Sequence, residues 1–390
     1  MFRALQLTVN ITQGNMLKKL ISAPVFFLAG SFLYMIVPWV MYEINYLQVE
    51  FLIRAVENHI HLAKHYETII VDFFVMNLSF TMGYWIAVRC GVTKLYITGM
   101  QRFPISKSLI FILLVFISVL GGYKIVSAGV IPFRGYQFDP KMLGPLATVC
   151  FTSIWFFHYT NNRKFILIFI ITAFWLIGLG SRMFVFLPML SLMIGALLKY
   201  KKHTFSIMLS IVISLVFFIF VGIVRTGWDV NIQTFLGIAF AEPIFTSLGA
   251  LYYIDTGRDL VNFPYDILAS TINFIPSFIF SNKYELVTSL TESDRIFNPM
   301  GAQPLVVSLY HNFGLLYPFF MVMIGFYFGY IKKRSDSDFF RAVNLTTLPF
   351  VLIHFHREGF ITSLKILFFN GIIFPFILIV ILKFFLSRKK

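Results

Sequence analysis

Long apolar runs constrain this chain more than any other feature of its sequence. A membrane-spanning helix needs about 20 consecutive, mostly apolar residues, and ten runs approach that length. They cover residues 21–42, 69–88, 108–128, 143–160, 165–180, 183–198, 204–224, 313–331, 339–356 and 360–386. Charged residues make up only 13% of the chain, about half of what soluble domains carry. The sequence therefore predicts an all-α polytopic membrane protein that forms a single membrane domain over residues 1–390.

The distribution of Lys and Arg predicts which side of the membrane holds the termini. The segments on the side of the termini contain 20 of the 32 basic residues but only two of the 17 acids, Asp336 and Asp338. Because cytoplasmic loops carry an excess of Lys and Arg, we expect both termini in the cytoplasm. The basic residues cluster beside apolar runs, so the net charge of +15 indicates no nucleic-acid partner.

The same topology predicts that residues 225–312 form one large external, periplasmic loop. Eight of the 17 acids lie there, together with four Lys or Arg. Two stretches inside the loop, 232–254 and 263–281, are apolar enough to re-enter or to span the membrane, which would raise the number of spans to twelve. Glu242-Pro243 is expected to interrupt a helix in the first stretch, because the residue before a proline is biased away from helical backbone.

Two arginines are predicted at the outer membrane surface, where two interpretations are open. Arg182 lies in GLGSRMFVFLP between two apolar runs, and Arg225 lies where the seventh run ends. Both could be anchors whose side chains reach the lipid headgroups. Because a guanidinium also suits bidentate phosphate recognition, the pair could instead grip a lipid-linked pyrophosphate. Arg295, before the NPMGAQP turn, and Arg357, in HFHREG, are further candidates on the same side.

Acids and histidines near the apolar runs are the candidates for proton chemistry. Glu242, in AFAEPIFTSL, is expected either to hold one of the arginines or to act as a general base toward a sugar hydroxyl. His311, directly after the large loop, could serve as acid or base. Asp72 is the clear intramembrane acid outside 232–254. The histidines of ENHIHLAKH, residues 57–65, lack the Glu of a metalloprotease helix, which favours a surface helix over a zinc site.

Motifs that are absent from the sequence narrow the chemistry further. There is no phosphate-binding loop and no dinucleotide fingerprint, and the external segments hold no Asp-x-Asp pair for a metal-bound nucleotide sugar; Asp336-Ser337-Asp338 lies in a segment expected in the cytoplasm. An external site would also have no ATP, so its substrate must arrive already activated in the membrane. A polyprenyl-diphosphate-linked sugar meets that requirement, and no cofactor or metal is expected.

Four features of the chain resemble the O-antigen or oligosaccharide repeat-unit polymerases, the Wzy-type family. The first two are ten or more spans with one long external loop, and GSR at residues 180–182 opening an outward hairpin. The third is Arg225 at the exit of the span before the loop. The fourth is PLVVSLYHNFGLLYPFFMVMIGFYFGYI, residues 304–331, which is similar to the family's stretch ending in Tyr-x-Asn-Phe-Gly. Many members carry Glu two residues before that Tyr, where this chain has Ser308.

The resemblance implies a glycosyltransferase C-like fold and a metal-independent enzyme of the bacterial inner membrane. The reaction would join undecaprenyl-diphosphate-linked oligosaccharide donor and acceptor at the periplasmic face, among membrane lipids and with a chain-length regulator as a possible protein partner. It implies that arginines hold the diphosphate; the candidates are Arg182, Arg225, Arg295 and Arg357. Glu242 and His311 are the candidates for the catalytic base. Two alternatives stay open: an O-antigen ligase, and a lipid-linked oligosaccharide transporter.

Overall fold

The fold was analysed in a computed structural model that describes residues 20–44, 60–90, 107–129, 140–200, 203–226, 231–256, 262–275, 280–291 and 303–387. Every regular element in these residues is helical. The first seven helices are α1 (Ala23–Glu43), α2 (Tyr66–Arg89), α3 (Lys107–Ser127), α4 (Pro140–Thr160), α5 (Lys164–Gly178), α6 (Met183–Lys199) and α7 (Thr204–Thr226). A π-helical turn, Phe32–Ile36, interrupts α1.

The remaining helices include several short ones that surround the longer spans. They are α8 (Ile232–Asp255), α9 (Tyr265–Phe274), α10 (Lys283–Thr291), α11 (Leu305–Phe313), α12 (Tyr317–Lys333), α13 (Asp338–Leu352) and α14 (His354–Arg357). The last helix, α15, consists of Phe360–Leu364, the π-helical segment Lys365–Ile373 and Phe374–Ser387.

Seven helices among the described residues are long and apolar enough to cross a membrane. They are Ala23–Glu43, His61–Arg89, Ser108–Ser127, Thr204–Val224, Ile232–Asp255, Leu305–Lys333 and Phe360–Ile381. Six of them coincide with apolar runs predicted to span, and the seventh contains the stretch 232–254. The chain is thus an α-helical, multi-pass membrane protein, as predicted.

Three other predicted spans form helices shorter than a typical membrane span. Helices α5, α6 and α13 have 15, 17 and 15 residues. At 1.5 Å per residue, each is only about 22–26 Å long. Gly180, at φ +86°, ends α5 in the left-handed conformation that glycine adopts most readily. Ile353, at φ −128° and ψ −63°, ends α13. These two breaks bring polar residues against the ends of neighbouring helices, and the candidate site forms there.

The expected interruption at Pro243 is wrong, because α8 runs continuously from Ile232 to Asp255 with Pro243 inside it. A proline removes one backbone donor from a helix. Here the half of α8 that follows the proline is almost entirely buried, so packing offsets that loss. The stretch 263–281 contains the ten-residue helix α9, which is too short to span. The described part of the segment predicted as one external loop therefore contains a candidate span, the short helices α9 and α10, and most of α11.

Helices α2 and α12 make the closest helix–helix contact, and glycines allow it. A Cβ atom added at Gly325 would lie 2.0 Å from the Phe80 carbonyl oxygen, and one at Gly83 would lie 1.9 Å from that of Val322. Gly329 meets Tyr84 in the same way. Gly325 faces Phe80 and Gly329 faces Tyr84, so residue numbers increase in the same direction along both helices. The two helices therefore run parallel, as the predicted topology requires. Small residues that let backbones approach this closely are typical of helix pairs in membranes.

Candidate functional site

Arg182 lies at the junction of three helices. It precedes α6, and its Nη1 donates a 2.9 Å hydrogen bond to the Phe218 carbonyl oxygen of α7. A Cβ atom added at Gly222 would lie 2.1 Å from that Nη1 and 3.0 Å from Cγ2 of Ile238 in α8. Because Gly222 has no side chain, the guanidinium of Arg182 fits between α7 and the face of α8 that carries Ile238.

Glu242 and Arg357 form an ion pair across the same part of the molecule. Nε of Arg357, in the short helix α14, lies 3.5 Å from Oε2 of Glu242 in α8, and its Nη1 lies 3.7 Å from Oε1 of Glu358. The side chains of Arg357 and Glu242 are 19% and 32% exposed, so the pair is partly buried. Of the two roles predicted for Glu242, the structure places it as an arginine's partner.

The two arginines are brought together by one face of α8. Ile238, beside Arg182, and Glu242, beside Arg357, are four residues apart, and such residues are neighbours on a helix surface, about 5–6 Å between Cβ atoms. A second contact joins the same segments, because the rings of Phe184 and His354 pack edge to face with centroids 5.5 Å apart. We call Arg182, Glu242, Arg357 and Glu358 the arginine–glutamate cluster.

The protonation of Glu358 affects the charge of this cluster. Burial raises the pKa of the Glu358 carboxyl, Arg357 opposes the rise, and the charge of Glu242 adds to it. With both carboxylates ionised, the cluster has two positive and two negative charges. When Glu358 takes up a proton, the cluster gains a net positive charge and becomes better suited to an anion.

A small, mostly apolar cavity with a few polar side chains lies next to the cluster in the chain, since His356 and Thr246 line it. It is lined by Tyr34, Thr246, Ser247 and His356, with apolar side chains from α1, α2, α8 and α11, and its volume of about 10 Å³ is close to the minimum that holds one water. Ser247 Oγ and His356 Nε2 are buried without a hydrogen-bond partner among the described residues. Tyr34 belongs to the π-helical turn of α1, a distortion often found at functional sites.

His311 lies in a different polar group, not beside Glu242. Its carbonyl oxygen accepts a 2.6 Å hydrogen bond from the backbone N–H of Asn262. Asp266 accepts from Asn262 Nδ2 at 2.8 Å and from Asn312 Nδ2 at 2.7 Å. Burial raises the pKa of the Asp266 carboxyl, and the bond from Asn312, the nearby His311 and the bond from Asn262 oppose the rise. This group fixes α11 to α9.

Asp72, the predicted intramembrane acid, is buried between two tyrosines. Its Oδ1 accepts hydrogen bonds from Tyr310 at 2.8 Å and from Tyr317 at 2.6 Å. Tyr310 is the tyrosine of the Tyr-x-Asn-Phe-Gly segment, so Asp72 ties that segment to α2. Two hydroxyl donors explain how a carboxylate can be held at 2% exposure.

Other predicted site residues are not brought into the cluster by the described structure. Arg225 closes helix α7, but its side chain lies outside the described residues, as does all of Arg295. Of the ENHIHLAKH histidines, His59 lies outside them too. His65 and Lys64 both pair with Asp255 at the end of α8, at 2.8 and 3.0 Å.

Sequence reasoning found three members of the cluster and missed other polar residues around it. Ser247 and Tyr34 carry no pattern that separates them from ordinary core residues. HFHREG did stand out as an unusual density of polar groups between two apolar runs, and that signal could have identified Glu358 and His356.

Protein-family models, curated proteins and solved structures were compared with the chain, and none matches. The resemblance to the Wzy-type polymerases thus stays a prediction from the residues that carry it. What the site does has to be inferred from its own chemistry.

Proposed function

We propose that the protein is an O-antigen polymerase, a membrane glycosyltransferase that joins polyprenyl-diphosphate-linked oligosaccharide repeat units. The observation that carries the proposal is the placement of Arg182 beside Ile238 and of Arg357 beside Glu242, two residues one turn apart on α8. Arg182, Glu242 and Arg357 come from distant parts of the chain. An isolated headgroup anchor would need no such placement.

The cluster has the groups that glycosyl transfer from a lipid diphosphate requires. In the proposed step, the acceptor hydroxyl oxygen forms a bond to the anomeric carbon of the donor sugar. The bond between that carbon and the diphosphate oxygen breaks, and the diphosphate leaves with the electron pair. Two guanidinium groups can stabilise the charge that develops on the leaving group, since fixed donors in a partly dry site act strongly. The acceptor proton passes to Glu242.

Glu242 fits the role of general base because the substrate diphosphate can replace it as the partner of Arg357. At rest the Arg357 guanidinium faces Glu242 and Glu358 at 3.5 and 3.7 Å, longer than the 2.7–2.9 Å of a strong charge-assisted hydrogen bond. A diphosphate, with more charge and more acceptor oxygens, can displace these carboxylates. Displacement leaves Glu242 beside the bound donor and able to accept a proton.

The remaining members of the predicted site enter as proposals from the resemblance alone. Arg225 and Arg295 are assigned to the diphosphate. His311 is the alternative base, although it lies against α9 rather than in the arginine–glutamate cluster. The protein would work in a bacterial inner membrane with both termini in the cytoplasm and the cluster toward the periplasm. Its partners would be undecaprenyl-diphosphate-linked donor and acceptor, membrane lipids and a chain-length regulator.

Deleting the gene and separating the cell's lipopolysaccharide on a gel tests this function. Loss of a polymerase leaves lipid A core bearing one repeat unit. Loss of a ligase removes all attached repeat units, and loss of a transporter removes them while lipid-linked units accumulate on the cytoplasmic side. Absence of the core-plus-one band would refute the polymerase proposal.

A further inference from the structure

Two lysines near the start of α4 form a second cationic site away from the arginine–glutamate cluster. Lys365 is the first residue of the π-helical segment of α15 and lies within a candidate span. Its Nζ lies 3.8 Å from where a Cβ of Gly144 would be, and among the described residues outside the backbone of α4 and the neighbours of Gly144 no other atom comes within 4 Å of that position. The ammonium group therefore borders open space beside the first turns of α4, whose free N–H groups favour an anion.

Lys283 supplies the second positive charge. It is 3% exposed, and its Nζ donates to the backbone carbonyl oxygens of Ile275 at 2.7 Å and Asn273 at 3.4 Å, at the end of α9. Phe274, between these two residues, stacks on Phe369 of the π-helical segment with ring centroids 5.3 Å apart. This packing holds Lys283 near Lys365, and their charges repel each other.

Neither lysine is neutralised by an acid in the described part of the chain. The ion pairs there use other cations. Glu285, two residues from Lys283, lies on the exposed face of α10. A lysine within a membrane span, as Lys365 is, costs several kcal/mol unless it is paired, and it usually marks a substrate path. A second buried lysine, Lys283, adds to the positive charge there and favours a bound anion.

We propose that Lys283 and Lys365 bind the diphosphate of the second lipid-linked substrate, the acceptor. This assignment rests on the proposed function, since a polymerase must hold two lipid diphosphates at once. The arginine–glutamate cluster suits the donor, whose diphosphate gains charge as it leaves. The acceptor keeps its diphosphate through the reaction, so lysines acting as point charges are sufficient to hold it. Phe360–Leu364 separates the two sites along α15.

Counting bound lipids tests the proposal without depending on catalysis. The full-length protein is placed in phosphatidylcholine nanodiscs with undecaprenyl diphosphate, and native mass spectrometry counts the lipids retained per chain. Wild type is expected to bind two and Lys365→Gln one, because losing a hydrogen bond to a charged group weakens binding by on the order of tenfold or more. Lys365→Arg keeps the charge and should again bind two. Lys64→Gln, which removes an exposed lysine, is the matched control.

Three further arms identify the ligand and separate this proposal from the function it rests on. Undecaprenyl monophosphate and inorganic pyrophosphate should bind the lysine site more weakly, and phosphatidylglycerol should not displace the diphosphate. Displacement by phosphatidylglycerol would mean an ordinary headgroup site and would overturn the proposal, as would two retained diphosphates in a folded Lys365→Gln protein. If wild type binds two lipids but forms no polymer, the proposed reaction fails while the lysine site stands.

Discussion

At the residue scale, Arg357 is central, because it pairs with both Glu242 and Glu358. The sequence identified Arg182, Glu242 and Arg357 because charged groups beside apolar runs are costly unless they are paired or functional. It could not show that Arg182 meets α8 at Ile238, since that contact requires the space left at Gly222. Nor could it separate His311 from the cluster, because the bonds that hold its segment to Asn262 join residues about 50 positions apart.

Alanine at either arginine tests the proposed leaving-group stabilisation. Arg357→Ala and Arg182→Ala are expected to reduce polymer formation by about 100-fold or more, the usual cost of removing an oriented donor to developing charge. Lysine at either position should restore little, because it lacks the planar fork of the guanidinium. Polymer length on gels measures the effect, with Arg163→Ala, an exposed arginine at another turn, as control. Normal polymer in both alanine variants would eliminate the clamp.

The Asp72 group makes a prediction about stability. Tyr317→Phe removes one of two hydroxyl donors to a buried carboxylate and should lower the free energy of unfolding by about 1.5–3 kcal/mol. Thermal unfolding of the purified protein in detergent measures the change. Tyr123→Phe, at a tyrosine that is 69% exposed, should change stability by much less. Equal effects would mean that the Asp72 hydrogen bonds are unimportant for stability.

Asp266 makes a prediction about pH. Burial raises the pKa of its carboxyl in the folded protein, so the folded state binds this proton more tightly than the unfolded state. The contribution to stability is present below the ordinary carboxyl pKa, about 3.9, and is lost as the pH rises through the raised value. Melting temperatures between pH 4 and 7 should therefore fall more steeply for wild type than for Asp266→Asn. Parallel curves would contradict the assignment.

At the element scale, apolar runs predicted where helices lie better than where they end. The ends depend on particular residues: Gly180 stops α5 early, and Ile353 divides α13 from α14. The expectation at Pro243 failed for the opposite reason, since a local backbone preference was overcome by the burial of the half-helix that follows it. The errors concern the ends of α5 and α13 and the continuity of α8, elements next to the candidate site, where tertiary contacts override local preference.

The parallel pair of α2 and α12 makes the sharpest prediction at this scale. Gly325→Ala would place a methyl group 2.0 Å from the backbone oxygen of Phe80, where no side chain can move away, so the helices must separate. Overpacking of this kind costs about 1–3 kcal/mol or more, and thermal unfolding should detect it. Met323→Ala is the control, because Met323, also in α12, is 54% exposed. An unchanged melting temperature for Gly325→Ala would contradict the close packing.

At the scale of the whole molecule, composition and charge distribution were sufficient for the class of protein. Half the usual charge content predicted a multi-pass membrane protein, and seven helices of spanning length support that class. The side of the membrane on which the cluster lies is still a prediction from the distribution of Lys and Arg. The structure differs most from the prediction in the large external loop, because residues 232–255 of that loop form helix α8. Arg182 lies near Ile238 of this helix, and Arg357 pairs with its Glu242. A long-range arrangement of this kind has no signature in composition or periodicity.

The most direct measurement of the central claim is made on the purified protein in liposomes. A synthetic undecaprenyl-diphosphate-linked repeat unit is added, and the glycan products are resolved by gel and mass spectrometry. The wild-type protein is expected to produce a ladder of joined repeat units and to release one undecaprenyl diphosphate for each glycosidic bond formed. Arg357→Ala should produce only the starting unit while remaining folded. A wild-type protein that binds the lipid but joins no units, or an Arg357→Ala protein with an undiminished ladder, would contradict the account.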